Sequence, residues 1–183
     1  MAGESKRTIV KKWIGKDVPL QPEGIKLTLD TKSKVTLTWT APTKGKNGGY
    51  VNPADLRYKI VRYPDEVIVA ESHVGTTFSE EITPESLTAY YYKVSAINEG
   101  YKGEEIVSNK VLVGDPLEVP YTEEFEGLPA FDLYTVIDAN KDGRTWVMNK
   151  VDNMVFNQFN PIRDADDWLI SPPIHLSNDR QYS

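Results

Sequence analysis

Asp138-Ala139-Asn140-Lys141-Asp142-Gly143 is the stretch whose residue types and spacing could do chemistry. Oxygen-bearing side chains at alternate positions can converge on one hard cation, and the glycine permits the tight turn that gathers them. Asp138, Asn140 and Asp142 are therefore candidate ligands of a structural Ca²⁺ ion. The same residues also read as a solvated Asp/Asn/Gly turn between strands. An EF-hand is rejected. Its loop needs a bidentate glutamate at the twelfth position, and that position is Asn149. A weaker set of candidate metal ligands is Glu124, Glu126, Asp166 and Asp167, which also read as solvated surface acids.

Other chemistries find little support. The chain has no cysteine, which removes thiol nucleophiles, disulfides and Cys-ligated zinc together. The two histidines, His73 and His175, stand apart from any triad or His-x-x-x-His pattern. Gly45-Lys46-Asn47-Gly48-Gly49 is a turn, because the Lys-Ser/Thr that completes a phosphate loop is absent. Acids are numerous enough for a glycosidase pair, yet short hairpin loops offer no evident cleft. The sequence reads as a non-enzyme.

The 183 residues suffice for one large domain or two modest ones. A formal charge of -6 argues against a phosphate-binding surface, and no nucleic-acid partner is expected. Lys6, Arg7, Lys11 and Lys12 alternate with Ile9, Val10, Trp13 and Ile14, as on the outer face of a solvated strand. No transmembrane segment is expected, since no apolar run approaches the roughly 20 residues that span a bilayer. The polar start has no signal-peptide h-region, so the chain reads as cytoplasmic or as an internal piece of a longer exported protein.

Positioning of all these groups falls to strands. Alternation with period two dominates, and no window sustains a helical stripe. Ile25 to Leu29, Val35 to Trp39, Leu56 to Val61, Val67 to Ala70, Thr76 to Ile82, Tyr90 to Ala96 and Ile106 to Val113 each read as a strand. Pro/Gly/Asn breaks separate them, and seven short strands at this spacing predict an all-β sandwich. Trp39, Tyr58, Tyr90, Tyr92 and Val94 fall on inward positions and form the expected core. Tyr101, between Gly100 and Gly103, is placed in an exposed turn over residues 98–104 and is a candidate binding-loop residue.

Three motifs sharpen this. Leu37-Thr38-Trp39-Thr40-Ala41-Pro42, Tyr58-Lys59-Ile60-Val61-Arg62 and Tyr90-Tyr91-Tyr92-Lys93-Val94-Ser95-Ala96-Ile97-Asn98 resemble the second, third and sixth strands of a fibronectin type III module. The resemblance covers residues 22–114 and implies an immunoglobulin-like sandwich, with Tyr90 at the tyrosine corner known for such folds. Ser108 to Pro116 ends in Gly-Asp-Pro, and residues 5–19 end similarly in Gly, Asp and Pro. This echo makes residues 1–21 the expected terminal strand and linker of a preceding module.

After Pro116 the character changes. Glu124-Phe125-Glu126, Thr135-Val136-Ile137-Asp138, Asp142-Gly143-Arg144-Thr145-Trp146 and Asp166-Asp167-Trp168-Leu169-Ile170-Ser171-Pro172-Pro173-Ile174 follow in order. Together they resemble the start of a cleaved-adhesin, or choice-of-anchor J, domain of bacterial surface proteins, of the gingipain adhesin type. That resemblance implies a jelly-roll β domain, here partial over residues 115–183, and a structural Ca²⁺. The family's usual Trp near Asp132-Leu133-Tyr134 is absent. A half jelly roll would leave Phe156, Phe159, Trp168, Leu169 and Ile170 poorly covered.

The functional expectation is a non-catalytic adhesion or spacer region of a secreted or cell-surface multidomain bacterial protein, with a protein or carbohydrate (glycan) ligand and an extracellular location. The alternative is an accessory region of an exported peptidase or polysaccharide-degrading enzyme whose catalytic domain lies outside this chain. A eukaryotic receptor ectodomain is weaker, as no Arg-Gly-Asp or Asn-x-Ser/Thr tripeptide occurs.

Overall fold

The computed structural model describes residues 8–162, 164–179 and 181. Lys6 and Arg7 of the basic run lie outside the described residues. The architecture is all-β. The strands run β1 (Glu23–Leu29), β2 (Lys34–Thr40), β3 (Arg57–Tyr63), β4 (Val67–His73), β5 (Thr77–Glu81), β6 (Thr88–Asn98), β7 (Tyr101–Val107) and β8 (Val111–Val113). Beyond them come β9 (Leu117–Glu118), β10 (Thr135–Asp138), β11 (Trp146–Asn149), β12 (Met154–Asn157), β13 (Asp167–Ile170) and β14 (Ile174–His175). A single helical turn at Pro53–Asp55 and one short helix, α1 (Leu128–Asp132), complete the described elements.

Strands β1-β2-β5 form one sheet, and β4-β3-β6-β7 form another with β8 also on β6. The two sheets fit the all-β sandwich that the alternation predicts. Alternation on β2 buries Val35, Leu37 and Trp39 and turns the residues between them outward. By contacts the chain divides into two compact units. One holds residues up to Thr28, Thr36–Glu80 and Tyr91–Asn109; the other holds Leu29–Val35, Glu81–Tyr90 and the described residues from Lys110 onward.

In the first unit the two sheets meet through aromatic rings. Trp39 on β2 meets Tyr58 on β3 edge-on at 5.0 Å between centroids, and Phe78 on β5 meets Tyr92 on β6 at 6.4 Å. Trp39, Tyr58, Tyr92 and Val94 are all buried. Burial pushes the Tyr58 phenol above its ordinary value. The Trp39 Nε1 and Tyr58 hydroxyl atoms are both buried outside hydrogen-bond geometry among the described residues.

The last expected strand, over residues 106–113, is two strands. The Asn109 side chain takes a strand's place beside β1, accepting from Leu27 N at 2.8 Å and donating to Leu27 O at 2.9 Å. Ser108 Oγ accepts the Tyr92 amide at 2.9 Å. These side-chain bonds satisfy backbone groups that a continuous ladder would otherwise pair.

In the second unit Tyr90 is buried, with Val35, Ile82, Leu87, Ala89 and Val113. Beyond Val113 the described strands pair as three two-stranded ribbons: β10 with β13, β11 with β12, and β9 parallel to β14. Among the described residues beyond Val113, only Pro172 is buried. Phe156, Phe159, Trp168 and Ile170 are exposed, and Leu169 is half-buried. Ribbons of two strands have too few neighbours to bury both faces.

Of the expected terminal strand and linker over residues 1–21, residues 1–7 lie outside the described residues. Residues 8–14 have no ladder, and Ile9, Val10 and Ile14 are each more than three-quarters exposed. Asp17 and Pro19, by contrast, are buried within the first unit.

Candidate functional site

Strand β10 carries Asp138 to the mouth of the Asp138–Gly143 loop, and β13 carries Asp167 directly opposite it in antiparallel register. Lys141 and Gly143 take positive φ of 54° and 78°, which coils the backbone so that its amides face inward. Asp138 Oδ1 and Asn140 Oδ1 both accept the Asp142 amide, at 3.2 and 3.1 Å. Asp138 Oδ2 accepts from Gly143 N at 2.9 Å, and Asp142 Oδ1 from Arg144 N at 2.8 Å. The three candidate calcium ligands are thus gathered on one turn, with two of their oxygens sharing a single donor. The turn is also stable on its own hydrogen bonds, as the solvated reading requires.

A neighbouring turn, residues 157–162 with 164 and 165, braces this loop. Asn140 Nδ2 donates to Asp164 O at 2.8 Å, and Asn160 Nδ2 donates to Asp142 Oδ2 at 2.5 Å. Arg144 Nη1 donates to Phe159 O at 3.0 Å. Asp167 Oδ2 accepts from Asn157 Nδ2 at 3.0 Å, while its Oδ1 is buried with no partner among the described residues. A depression of about 510 Å³ opens over this turn.

The weaker acid set is not brought together. Among the described residues no three Asp, Glu or His side chains form a metal-holding group. Glu124 and Glu126 sit exposed before α1, and Asp166 is also exposed, contributing its carbonyl to Ala139 N at 3.0 Å.

Tyr101 is corrected from turn to strand. Glu99 and Gly100 both have positive φ, 46° and 93°, the signature of a two-residue hairpin turn. Asn98 and Tyr101 therefore pair as the closing residues of β6 and β7. The Tyr101 side chain is nonetheless about half exposed.

Two polar constellations escaped sequence reasoning. Asp17 accepts from Asn47 N at 3.0 Å, Asn47 Nδ2 at 2.8 Å and Gly49 N at 3.0 Å, although it is only 1% exposed. Burial by itself would raise its carboxyl, but the Asn47 amide and the two backbone donors outweigh that and hold it below the usual carboxylate range. Asn98 Nδ2 donates to Asp17 O at 3.2 Å, Lys46 N to Val18 O at 2.9 Å, and Leu20 N to Lys44 O at 3.0 Å. A Cβ on Gly45 would overlap the Asp17 side chain, and one on Gly103 would overlap the Pro19 carbonyl.

In the other constellation, the Tyr92 hydroxyl donates to Glu80 Oε1 at 2.5 Å, and Glu80 Oε2 accepts from Arg62 Nη1 at 2.8 Å. Arg62 also grips Asp65 through Nε at 3.0 Å and Nη2 at 2.6 Å. Burial, then the Glu80 acceptor, push the Tyr92 phenol far above its ordinary value. Neither grouping announces itself in the sequence, because the partners lie 30 and 32 residues apart for Asp17 and 12 and 18 for Glu80. Both serve the fold.

No protein-family model matches the chain, and no curated protein matches it. Solved structures do. A structure described as "FN3tt mut" is 19% identical over 54% of this chain and 99% of its own, with a TM-score of 0.40. Titin kinase and its flanking domains match at 20% identity over 54% of this chain and 18% of that one, TM-score 0.42. Domains d3-d4 of the rat CD45 extracellular region match at 18% identity over 52% of this chain and 49% of that one, TM-score 0.41. The chain thus spans under half the length of the latter two.

Proposed function

We propose that this chain is a non-catalytic binding or spacing region of a secreted or cell-surface multidomain protein, of the bacterial adhesin kind, taking a protein or glycan ligand. The observation that supports this most is where its buried polar groups go. Asp17 closes a turn, Ser108 and Asn109 patch a gap between strands, and Glu80 is shared between a phenol and a guanidinium. Groups so engaged hold a scaffold rather than turn over a substrate. Exposed aromatic residues at turn-proximal positions, Tyr101 and Phe159, are where a partner would meet it. Incubating the purified chain with a peptide library and a polysaccharide panel tests this: no cleavage is expected, and turnover of either class would refute the reading.

Calcium belongs to the same proposal. The donor set fits a hard cation, since Asp138, Asn140 and Asp142 offer oxygens at alternate positions on a turn already coiled by its own amides. Bound there, Ca²⁺ would supply structural bracing between this loop and its neighbour. Calorimetric titration with CaCl₂ is expected to give a weak site, with an affinity of about 10⁻⁴–10⁻³ M. Asp138→Ala is expected to abolish it. Equal heats in both proteins, or none in either, would dismiss the ion.

A further inference from the structure

The sheet β4-β3-β6-β7 packs its inner face within the first unit, through Tyr58, Ile60, Tyr92 and Val94. Its outer face is therefore not an uncovered ribbon, and a solvated sheet face is ordinarily polar. This one is not. Register sets Ile68, Val61, Lys93 and Val107 side by side across the four strands, and cross-strand partners share a face. Ile68 and Val107 are each about half exposed. In the adjoining row Tyr63 on β3 opposes Tyr91 on β6, and their rings stack at 4.9 Å with planes 10° apart. With strands about 4.8 Å apart, the four-residue row spans about 14 Å, the reach of about five extended residues.

Lys93 stands inside this apolar band. Its Nζ lies 4.5 Å from the centroid of the Tyr63 ring, which is itself stacked on Tyr91. The lysines on either side are compensated: Lys59 reaches Glu71 at 3.5 Å and Lys102 reaches Glu105 at 2.8 Å. Lys93 has no carboxylate within ion-pair distance among the described residues. A cation already held over an aromatic ring loses little further freedom when an anion arrives. The aliphatic side chains beside it offer no donors or acceptors to sugar hydroxyls. A second copy of the same face would bring Lys93 toward a like charge. We propose that this outer face docks an acidic protein segment, with a carboxylate on Lys93 and apolar side chains before and after it covering Ile68, Val61 and Val107. The chain's net charge of -6 opposes an acidic partner at long range, but screening beyond about 8 Å at physiological salt leaves the local cation in control.

The inference rests on the non-catalytic binding reading and adds to its turn-proximal contacts a sheet surface with its own class of partner. Its test pans a display library of random short peptides on the whole chain and titrates the enriched peptides by calorimetry. They are expected to carry Asp or Glu between apolar residues. Lys93→Glu should weaken their binding by about tenfold or more, Tyr91→Ala by about fivefold or more, and Lys93→Arg by under about threefold, with each variant folded by circular dichroism. Exchanging the peptide's acid for its amide should weaken binding as Lys93→Glu does, and Tyr101→Ala should leave it untouched. Enriched peptides without an acid, no enrichment at all, binding indifferent to Lys93→Glu or to the amide exchange, or binding lost in Tyr101→Ala instead would each overturn the surface. So would Lys93-dependent self-association in sedimentation velocity, or Lys93-dependent binding of phosphatidylserine vesicles or sulfated oligosaccharides in place of peptides. None of these outcomes touches the non-catalytic reading, which peptide cleaved during the titration would refute separately.

Discussion

Replacing Tyr92 by Phe isolates one bond in the first unit. The ring is fully buried and Phe fills the same space, so no cavity opens. What is lost is the hydroxyl donated to Glu80 Oε1 at 2.5 Å. Glu80 keeps Arg62, and Arg62 keeps Asp65, so no charge is orphaned. The cost is therefore that of a single hydrogen bond to a charged group, about 1.5–3 kcal/mol. Over a urea slope of about 2 kcal/mol per molar, a loss of about 2 kcal/mol lowers the unfolding midpoint by about 1 M at unchanged slope. Circular dichroism at pH 7 reads this directly. The pH dependence supplies a second check. Because the folded Tyr92 phenol is raised above its unfolded value of about 10, its contribution is fully present below pH 10 and is lost as pH climbs beyond it. Wild type should weaken more steeply than Tyr92→Phe above pH 10. A midpoint shift under 0.2 M (about a tenth of the slope's reach), together with parallel alkaline profiles, would refute the assigned bond.

Acid acts through Asp17. Its folded carboxyl lies below the unfolded value, so its stabilisation is present above about pH 4 and disappears as pH falls through the folded value; acid unfolding curves of wild type and Asp17→Asn are expected to converge below that point. Gly103→Ala drives a methyl group into the Pro19 carbonyl, an overpacking of about 1–3 kcal/mol; hydrogen exchange at Leu20 and Lys46, whose amides anchor that segment, should accelerate. Trp39→Ala should cost about 3–5 kcal/mol, and Trp168→Ser, more than half exposed, under about 0.5 kcal/mol, as read by urea midpoints.

Alternation made β1 to β6 legible. Val35, Leu37 and Trp39, or Tyr90, Tyr92 and Val94, announce an inner face because side chains two apart must share a side. The hairpin at Glu99-Gly100 was less legible, since a glutamate at positive φ gives no cue that the turn closes in two residues. The break at Ser108-Asn109 depends on side chains reaching β1 and Tyr92, 82 and 16 residues away. The loop at Asp138 could be read because its ligands are consecutive. The role of Asp17 is not legible in the sequence, because its three donors come from a turn that only the fold brings near.

The clasp at Asp17 has a mechanical consequence. Tension arriving through the amino end meets Asp17, Val18 and Leu20 before it reaches β1. Those bonds run to the Lys44–Gly49 hairpin, so the pull is diverted sideways into a loop and the first sheet strand is spared until the clasp yields. Single-molecule stretching should accordingly record a small rupture ahead of the main unfolding event.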